Sequence, residues 1–528
     1  MVTSVYSSYS VSQIAALSPA AVGSMTATDI ASLSSTQISA FGVEVIQALN
    51  ATQLAAISTT QMKALTTTQI AAFTASQMTF SGKQLSVLLE AQMEAFGVEE
   101  IAALTTQQIQ GLTATDIGEF STQQFSVLSP AQLSVLSTLQ IKGIDADQLG
   151  ILTTTQLGAF SSTQLSGLSS TQMKALPATI IDAMTTTQLS GLTSTQINWM
   201  GSTGLSVLDA TDFASLSASQ IQGMTTTEVQ SLTTAQLNAL TSTQLAALSS
   251  TQIRALTADE LNGLTAGQLS GLTSTQSYYL QYTQLGQLTT TFIGNLNETQ
   301  WTALSATALR GLSNDQIESL SASRVSQMTV TQVKGLTETQ IDALSPVQAA
   351  ALTETQISAF NTTQIKGLDT SFLTGLSATQ VGALTSAQLN ALTDQQVYSL
   401  TETELGLLRT DQVKGLSLTA MQSLSTTQIL ALGSTQLNAL SVTQIKGLTA
   451  DDIGVLTVTQ LSGISSTQIA GMTTTQVSAF SPDQIGNLTV TQIKGLTAAG
   501  VGVLNQDQLQ ALSTAQLSNL TSTQIGGL

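Results

Sequence analysis

The chain has 528 residues, of which 42% are hydrophobic and only 8% charged, with 31 acids against 13 bases, a formal charge of −18, and neither histidine nor cysteine. That inventory leaves no Ser-His-Asp triad, no thiol nucleophile and no zinc site of the usual ligand types. The acidic balance argues against nucleic acid and anionic membrane surfaces as partners.

The first residues, Met-Val-Thr-Ser-Val-Tyr-Ser-Ser-Tyr, have neither the basic start nor the apolar core of a secretory signal peptide. Polar residues recur too often anywhere in the chain for a transmembrane span. From Tyr9 a large apolar residue then returns every eight positions, as Leu17, Met25, Leu33, Phe41, Leu49, Ile57, Leu65 and Phe73. The next is Phe80, one residue early, and from Leu88 the spacing of eight holds to Leu528. The sequence therefore reads as a single repeat domain over 1–528, with about 65 octads and one shortened repeat at 73–80. A kink or bulge is expected at that repeat.

Residues 240–256, Leu-Thr-Ser-Thr-Gln-Leu-Ala-Ala-Leu-Ser-Ser-Thr-Gln-Ile-Arg-Ala-Leu, show the unit plainly. We number it from the apolar residue as position one. Ser or Thr follows at two, Gln stands at five, a second apolar residue at six, a variable residue at seven, and Ala or Gly at eight. Exceptions at position two include Asp145, Asn50, Gly42 and Gly201, which with Ser and Thr make up the helix N-cap set. Gln three residues later can reach back to the N-cap amide, as in a capping box. Pro19, Pro130, Pro346 and Pro482 all occupy position three, where a first helical residue has no N–H to lose. Acids cluster at positions two to five and bases at seven, as a helix dipole favours.

Each octad thus writes its own helix start. A continuous helix is excluded, because eight residues overshoot two turns by roughly 80° and would wind the apolar stripe around the rod. The expected fold is all-α, a solenoid of very short helices, one per octapeptide repeat, in which neighbouring octads supply the stability no octad has alone. The small residue at position eight serves either close packing or, when Gly, a left-handed turn. The alternative is a β-solenoid, suggested by the Thr content, but positions one and six have opposite parity and would fall on opposite faces of a strand.

Departures from the unit supply the candidate contact residues. Lys174, Arg254, Lys334, Lys414 and Lys494 recur every 80 residues, through duplication of ten octads or through a whole number of superhelical turns, of which we favour duplication. In residues 277–282, Ser277 takes the position-six slot beside Tyr278, Tyr279 and Tyr282. A tyrosine either fills the space left by the missing aliphatic residue or forms part of a sugar- or partner-binding patch. Trp301, at position six, is expected in the core. Trp199, near the end of its octad, is the better surface-contact candidate. The carboxylate pairs Glu99–Glu100, Asp259–Glu260 and Asp451–Asp452 read as first-turn helix residues rather than catalytic ones.

The pattern in Leu-Thr-Thr-Thr-Gln-Leu-Gly-Ala at 152–159 and Leu-Ser-Val-Thr-Gln-Ile-Lys-Gly at 440–447 resembles the Thr/Gln-rich octapeptide repeats of bacterial surface and extracellular proteins, often labelled haem utilisation or adhesion. That resemblance implies an adhesive or fibrous role outside the cell or on its surface. No haem cofactor is expected, because neither histidine nor cysteine is present as an axial ligand. The functional expectation is a non-catalytic extracellular filament, surface-layer or adhesin-stalk protein. The alternative is a binding module that presents its Ser/Thr surface to ice, mineral or polysaccharide. The closing stretch Leu520–Leu528 is an unmodified repeat, and the first residues keep the register, so head-to-tail self-association is expected as well.

Overall fold

The structure is a computed structural model that describes residues 4–528. Met1 and Val2, which the repeat register assigns to position one and an uncapped position two, lie outside the described residues. Among the described residues there are 63 α-helices, two 3-10 turns and no strand. Every α-helix but one is four to six residues long. The chain divides into two compact units, residues 1–272 and 273–528.

The local chemistry of an octad is visible at Thr241. Its hydroxyl accepts from the Gln244 backbone N–H at 3.2 Å, and Gln244 Oε1 accepts the Thr241 N–H at 2.7 Å. The same reciprocal pair recurs in octad after octad. Where the N-cap has no acceptor side chain the glutamine half survives, with Oε1 of Gln92, Gln412 and Gln436 accepting from Leu89, Arg409 and Gly433. Pro19, Pro130, Pro346 and Pro482 stand at the first helical residue, as expected. The chain leaves each helix through an extended residue at position one (Leu248, φ −59°, ψ 134°) and an extended N-cap at position two (Ser249, φ −67°, ψ 160°). These two residues make the corner that cancels the drift of the apolar stripe.

Within each unit a helix packs against the third one along the chain, for example Pro19–Gly23 on Val43–Ala48 and Pro482–Asn487 on Gln506–Ala511. Three octads therefore make one solenoid turn. Positions one and six line the interior nearly everywhere, with Ile253, Leu256, Ile445 and Leu448 typical. Trp301 is fully buried, and its Nε1–H donates to the Arg324 carbonyl at 3.0 Å.

Glutamine at position five is buried as well, and its amide nitrogen joins one turn to the next. Gln53 Nε2 donates to the carbonyls of Val22 (2.7 Å) and Met25 (2.8 Å). Gln492 Nε2 donates to those of Leu461 (2.7 Å) and Ile464 (2.8 Å). The acceptors lie 31 and 28 residues back, at the end of a helix and in the corner after it, and the first of them also takes the N–H of the corner residue, as Val22 does from Met25 at 3.0 Å. Position seven supplies a second set of bonds along the stack. Asn198, Gln230, Arg310 and Asn438 donate to the carbonyls of Gly223, Ala255, Gly335 and Gly463, each 25 residues ahead.

The glycines at position eight correct one expectation. Gly201 is the only positive-φ residue among the described residues, and it stands at position two. The position-eight glycines are helical in backbone and serve close packing instead. A Cβ on Gly143, Gly271 or Gly415 would run into the backbone carbonyl of Ala114, Ser242 or Ser386, the first helical residue of the helix one turn below.

Gly201 itself does not cap a helix in the manner of Gly42 (φ −71°) and Gly97 (φ −72°). At φ 64° and ψ 179° it sits inside the 12-residue segment Ser194–Leu205. Its octad has neither cap component, with Gly204 in place of the glutamine, but the same holds for the octad of Gly42, where Val45 stands at position five and an ordinary helix starts, so nothing in the structure explains the different backbone at Gly201.

At the shortened repeat the α-helix is replaced by the 3-10 turn Ala75–Gln77, a tighter winding that suits a missing residue. Gln77 still donates to Ile46 (2.9 Å) and Leu49 (3.0 Å). One octad on, Gln84 reaches Leu54 and Ile57, 30 and 27 residues back, so the lost residue shortens the span without breaking the bonds. Phe73 and Phe80 meet edge to face at 5.0 Å beside it.

With three octads per turn, ten octads make three turns and one further helix. Lys414 and Lys494, both in the second unit, therefore fall on different sides of the solenoid. The 80-residue period is not a whole number of turns, which leaves duplication as its account.

Candidate functional site

The three tyrosines of residues 278–282 are all on the surface, at 54% (Tyr278), 43% (Tyr279) and 54% (Tyr282) exposure, and none of them enters the core. Ser277 is fully buried in the position-six slot, and its hydroxyl has no hydrogen-bond partner. The tyrosines therefore do not replace the missing aliphatic residue. Tyr278 and Tyr279 pack edge to face with ring centroids 5.2 Å apart.

Tyr278 forms one wall of an open groove of about 660 Å³, whose other walls include Ser274, Thr275, Thr302, Ser305 and Thr329. No charged side chain lines it. Tyr279 and Tyr282 are not among its lining residues, so the structure brings one of the three tyrosines to the groove.

Trp199 occupies position eight, the slot that most often takes Ala, Gly or Ser, and it is half-buried rather than free. It lines a second open groove, of about 750 Å³, with Thr138, Lys142, Ser166, Ser169 and Thr193. A third groove, of about 650 Å³ and without an aromatic wall, is formed by Thr410, Lys414, Ser434, Asn438 and Ser462. Such grooves follow from stacking octads whose polar residues face outward. The aromatic side chains are what distinguish the first two.

Residues 459–490 match the family model described as the ALTTAQ repeat. This is a repeat protein. No curated protein matches the chain. Among solved structures it is similar to the leucine-rich repeat-containing protein LegL7 from Legionella pneumophila, at 12% identity over 48% of this chain and 77% of that one, with a TM-score of 0.15. It is also similar to importin beta, at 11% identity over 93% of this chain and 81% of that one, again with a TM-score of 0.15. Scores this low carry nothing about the fold or role of this chain.

The carboxylate pairs fall where a helix start needs them. Glu99 and Glu100, Asp259 and Glu260, and Asp451 and Asp452 are all in first turns. Asp452 takes the place of the glutamine, accepting the Thr449 N–H at 2.8 Å and its hydroxyl at 2.7 Å. Among the described residues no three acids are arranged to hold a metal ion, and no helix is long and apolar enough to cross a membrane.

One acidic residue has an environment the repeat does not explain. Glu119 stands at position eight, where a small residue normally meets the first helical residue one turn below, and here that residue is Glu90. One Glu119 carboxylate oxygen is occluded and unpartnered. Its pKa is raised above the ordinary value by burial first, then by the charges of Asp116, Glu90 and Glu94. The raised value means that the folded chain holds this proton more tightly than the unfolded one. The penalty is therefore absent below the unfolded pKa, grows as pH rises through the folded pKa, and is complete above it. Glu119→Gln should stabilise this region at about pH 7 and make little difference near pH 4, where the unfolded carboxyl is already largely protonated. Amide exchange across residues 113–120 at the two pH values measures this, and an equal gain at both would refute the electrostatic cause.

Proposed function

We propose that the chain is a non-catalytic structural protein, an extracellular or cell-surface solenoid serving as filament, surface-layer or adhesin-stalk element. The observation that carries this reading is the glutamine ladder. In both units the same buried side chain ties a helix start to its own N-cap and to two carbonyls of the turn below. Chemistry at one place asks for local departure from a repeat, whereas load-bearing along an axis asks for uniformity. The polar groups that an enzyme would use are spent on capping and stacking.

The contact between successive turns is head to tail, with amide donors on one face and carbonyl acceptors on the other. A second copy meeting such a face extends the stack instead of closing it, which supports self-association into filaments. Sedimentation velocity over a concentration series, with electron microscopy of the same samples, tests this. The expected result is a sedimentation coefficient that rises with concentration and unbranched fibres on the grid. Strict monomers at high concentration and moderate salt would overturn the filament reading. Protease treatment of intact cells tests the location: cleavage without lysis supports the surface, and protection until lysis refutes it.

A further inference from the structure

We infer that the groove beside Tyr278 is a docking site for a neutral polysaccharide, a step beyond the scaffold role and separable from it. The chain is sparing with aromatic residues, at 4% of its composition with six tyrosines in all, yet three of the six lie within residues 278–282. The core makes no use of them, since all three remain exposed beside a buried serine. Single exposed apolar residues occur at these positions elsewhere, as at Tyr398, Leu407 and Val43, but only here do three tyrosines fall within five residues.

Three features of the groove select the ligand. The Tyr278 ring offers a flat apolar face, and its edge-to-face contact with Tyr279 holds it in place before anything binds. Hydroxyl side chains of Ser274, Thr275, Thr302, Ser305 and Thr329 line the remaining walls and can both donate and accept. The absence of charge along the groove, in a chain of net charge −18, disfavours an anionic polymer and gives no counter-ion to a cationic one. A pyranose with equatorial hydroxyls matches all three, having an apolar ring face for the tyrosine and a rim of hydroxyls for the serines and threonines. The volume, about 660 Å³, is within the range of small-ligand sites, and its openness suits a segment of a longer chain. The Trp199 groove differs in carrying Lys142, so the inference is confined to the Tyr278 groove.

Native-gel affinity electrophoresis of the full chain tests this, with hydroxyethylcellulose as the neutral probe and alginate as the anionic one. The expected result is retardation by hydroxyethylcellulose and none by alginate. Tyr278→Ala should weaken the neutral interaction about tenfold, an ordinary loss for truncating an aromatic anchor. Tyr398→Ala, which removes an exposed tyrosine far along the chain, should leave it unchanged. Circular dichroism melting of both variants should match the parent, because both side chains are exposed. No retardation of the parent protein, equal retardation in the Tyr278→Ala protein, or a preference for alginate would each overturn the inference. None of these results bears on filament assembly, which is measured separately.

Discussion

Gln148→Leu should lower the local stability of the solenoid by about 2–6 kcal/mol, because the Asp145 N–H and the Phe120 carbonyl lose their partner at about 1–3 kcal/mol each, while the Ile117 carbonyl keeps the Phe120 N–H. Gln148 is fully buried. Its Oε1 accepts the Asp145 N–H at 3.0 Å, and its Nε2 donates to the carbonyls of Ile117 (3.0 Å) and Phe120 (2.7 Å). Leucine has a similar volume, so the substitution isolates the hydrogen bonds from any cavity. In a nearest-neighbour fold the damage should stay local. Hydrogen exchange should quicken around residues 113–152 and be unchanged in distant octads such as 466–480. Gln148→Glu separates the two roles of the amide. It keeps an oxygen for the Asp145 N–H but sets another against the two carbonyls. Loss in the leucine variant but not in the glutamate variant would assign the stability to capping alone. If neither variant loses protection, the ladder contributes nothing.

The helical octad, its cap and its two apolar positions are legible in the sequence because each rests on rules within one octad. Ser or Thr three residues before Gln is a capping signal that needs no tertiary knowledge, and proline at position three confirms it. The second task of the glutamine was not legible, since a donor bonded 28 and 31 residues away depends on the number of octads per turn, which no octad encodes by itself. The same gap explains Gly143 and Gly415. Locally a glycine after a helix suggests a left-handed turn, and only the stacked backbone below shows that the side chain is missing for lack of room. Gly201 keeps the expected helix boundary as a break in the helical backbone, but with a positive φ that the sequence does not foretell, since Gly42 and Gly97 at the same position are ordinary extended N-caps. For the contact residues the sequence singled out Trp199, Tyr278, Tyr279 and Tyr282 by being unusual in the register. That signal found side chains outside the repeat's ordinary use but could not say that Tyr278 and Trp199 line grooves while Tyr279 and Tyr282 are not among the residues lining the Tyr278 groove. Glu119 carried a signal that went unread: an acid at position eight, with Glu90 29 residues before it.

Ser277→Ile should have the opposite effect and stabilise the second unit locally by about 3–5 kcal/mol. Two contributions make up the figure. Removing a buried hydroxyl that has no partner relieves about 1–3 kcal/mol, and each added buried methylene contributes about 0.8 kcal/mol. Ser277 is fully buried in the helix Ser274–Tyr278. Isoleucine occupies the same slot in the same short-helix context at Ile253 and Ile293, both buried, so the backbone accepts a β-branched side chain there. The comparison that decides is Ile253→Ser, which should cost several kcal/mol by leaving a cavity as well as an unpaired hydroxyl. Hydrogen exchange across residues 272–288 reads the first variant and across 248–264 the second. If Ser277→Ile instead weakens protection, neighbouring side chains have already closed over the slot and the insertion overpacks it, at a usual cost of about 1–3 kcal/mol. The polysaccharide groove offers an independent check on where the strain would go. Tyr278 is the next residue, so a well-accommodated isoleucine should leave its retardation by hydroxyethylcellulose unchanged, whereas an overpacked one should displace the ring and weaken binding along with protection.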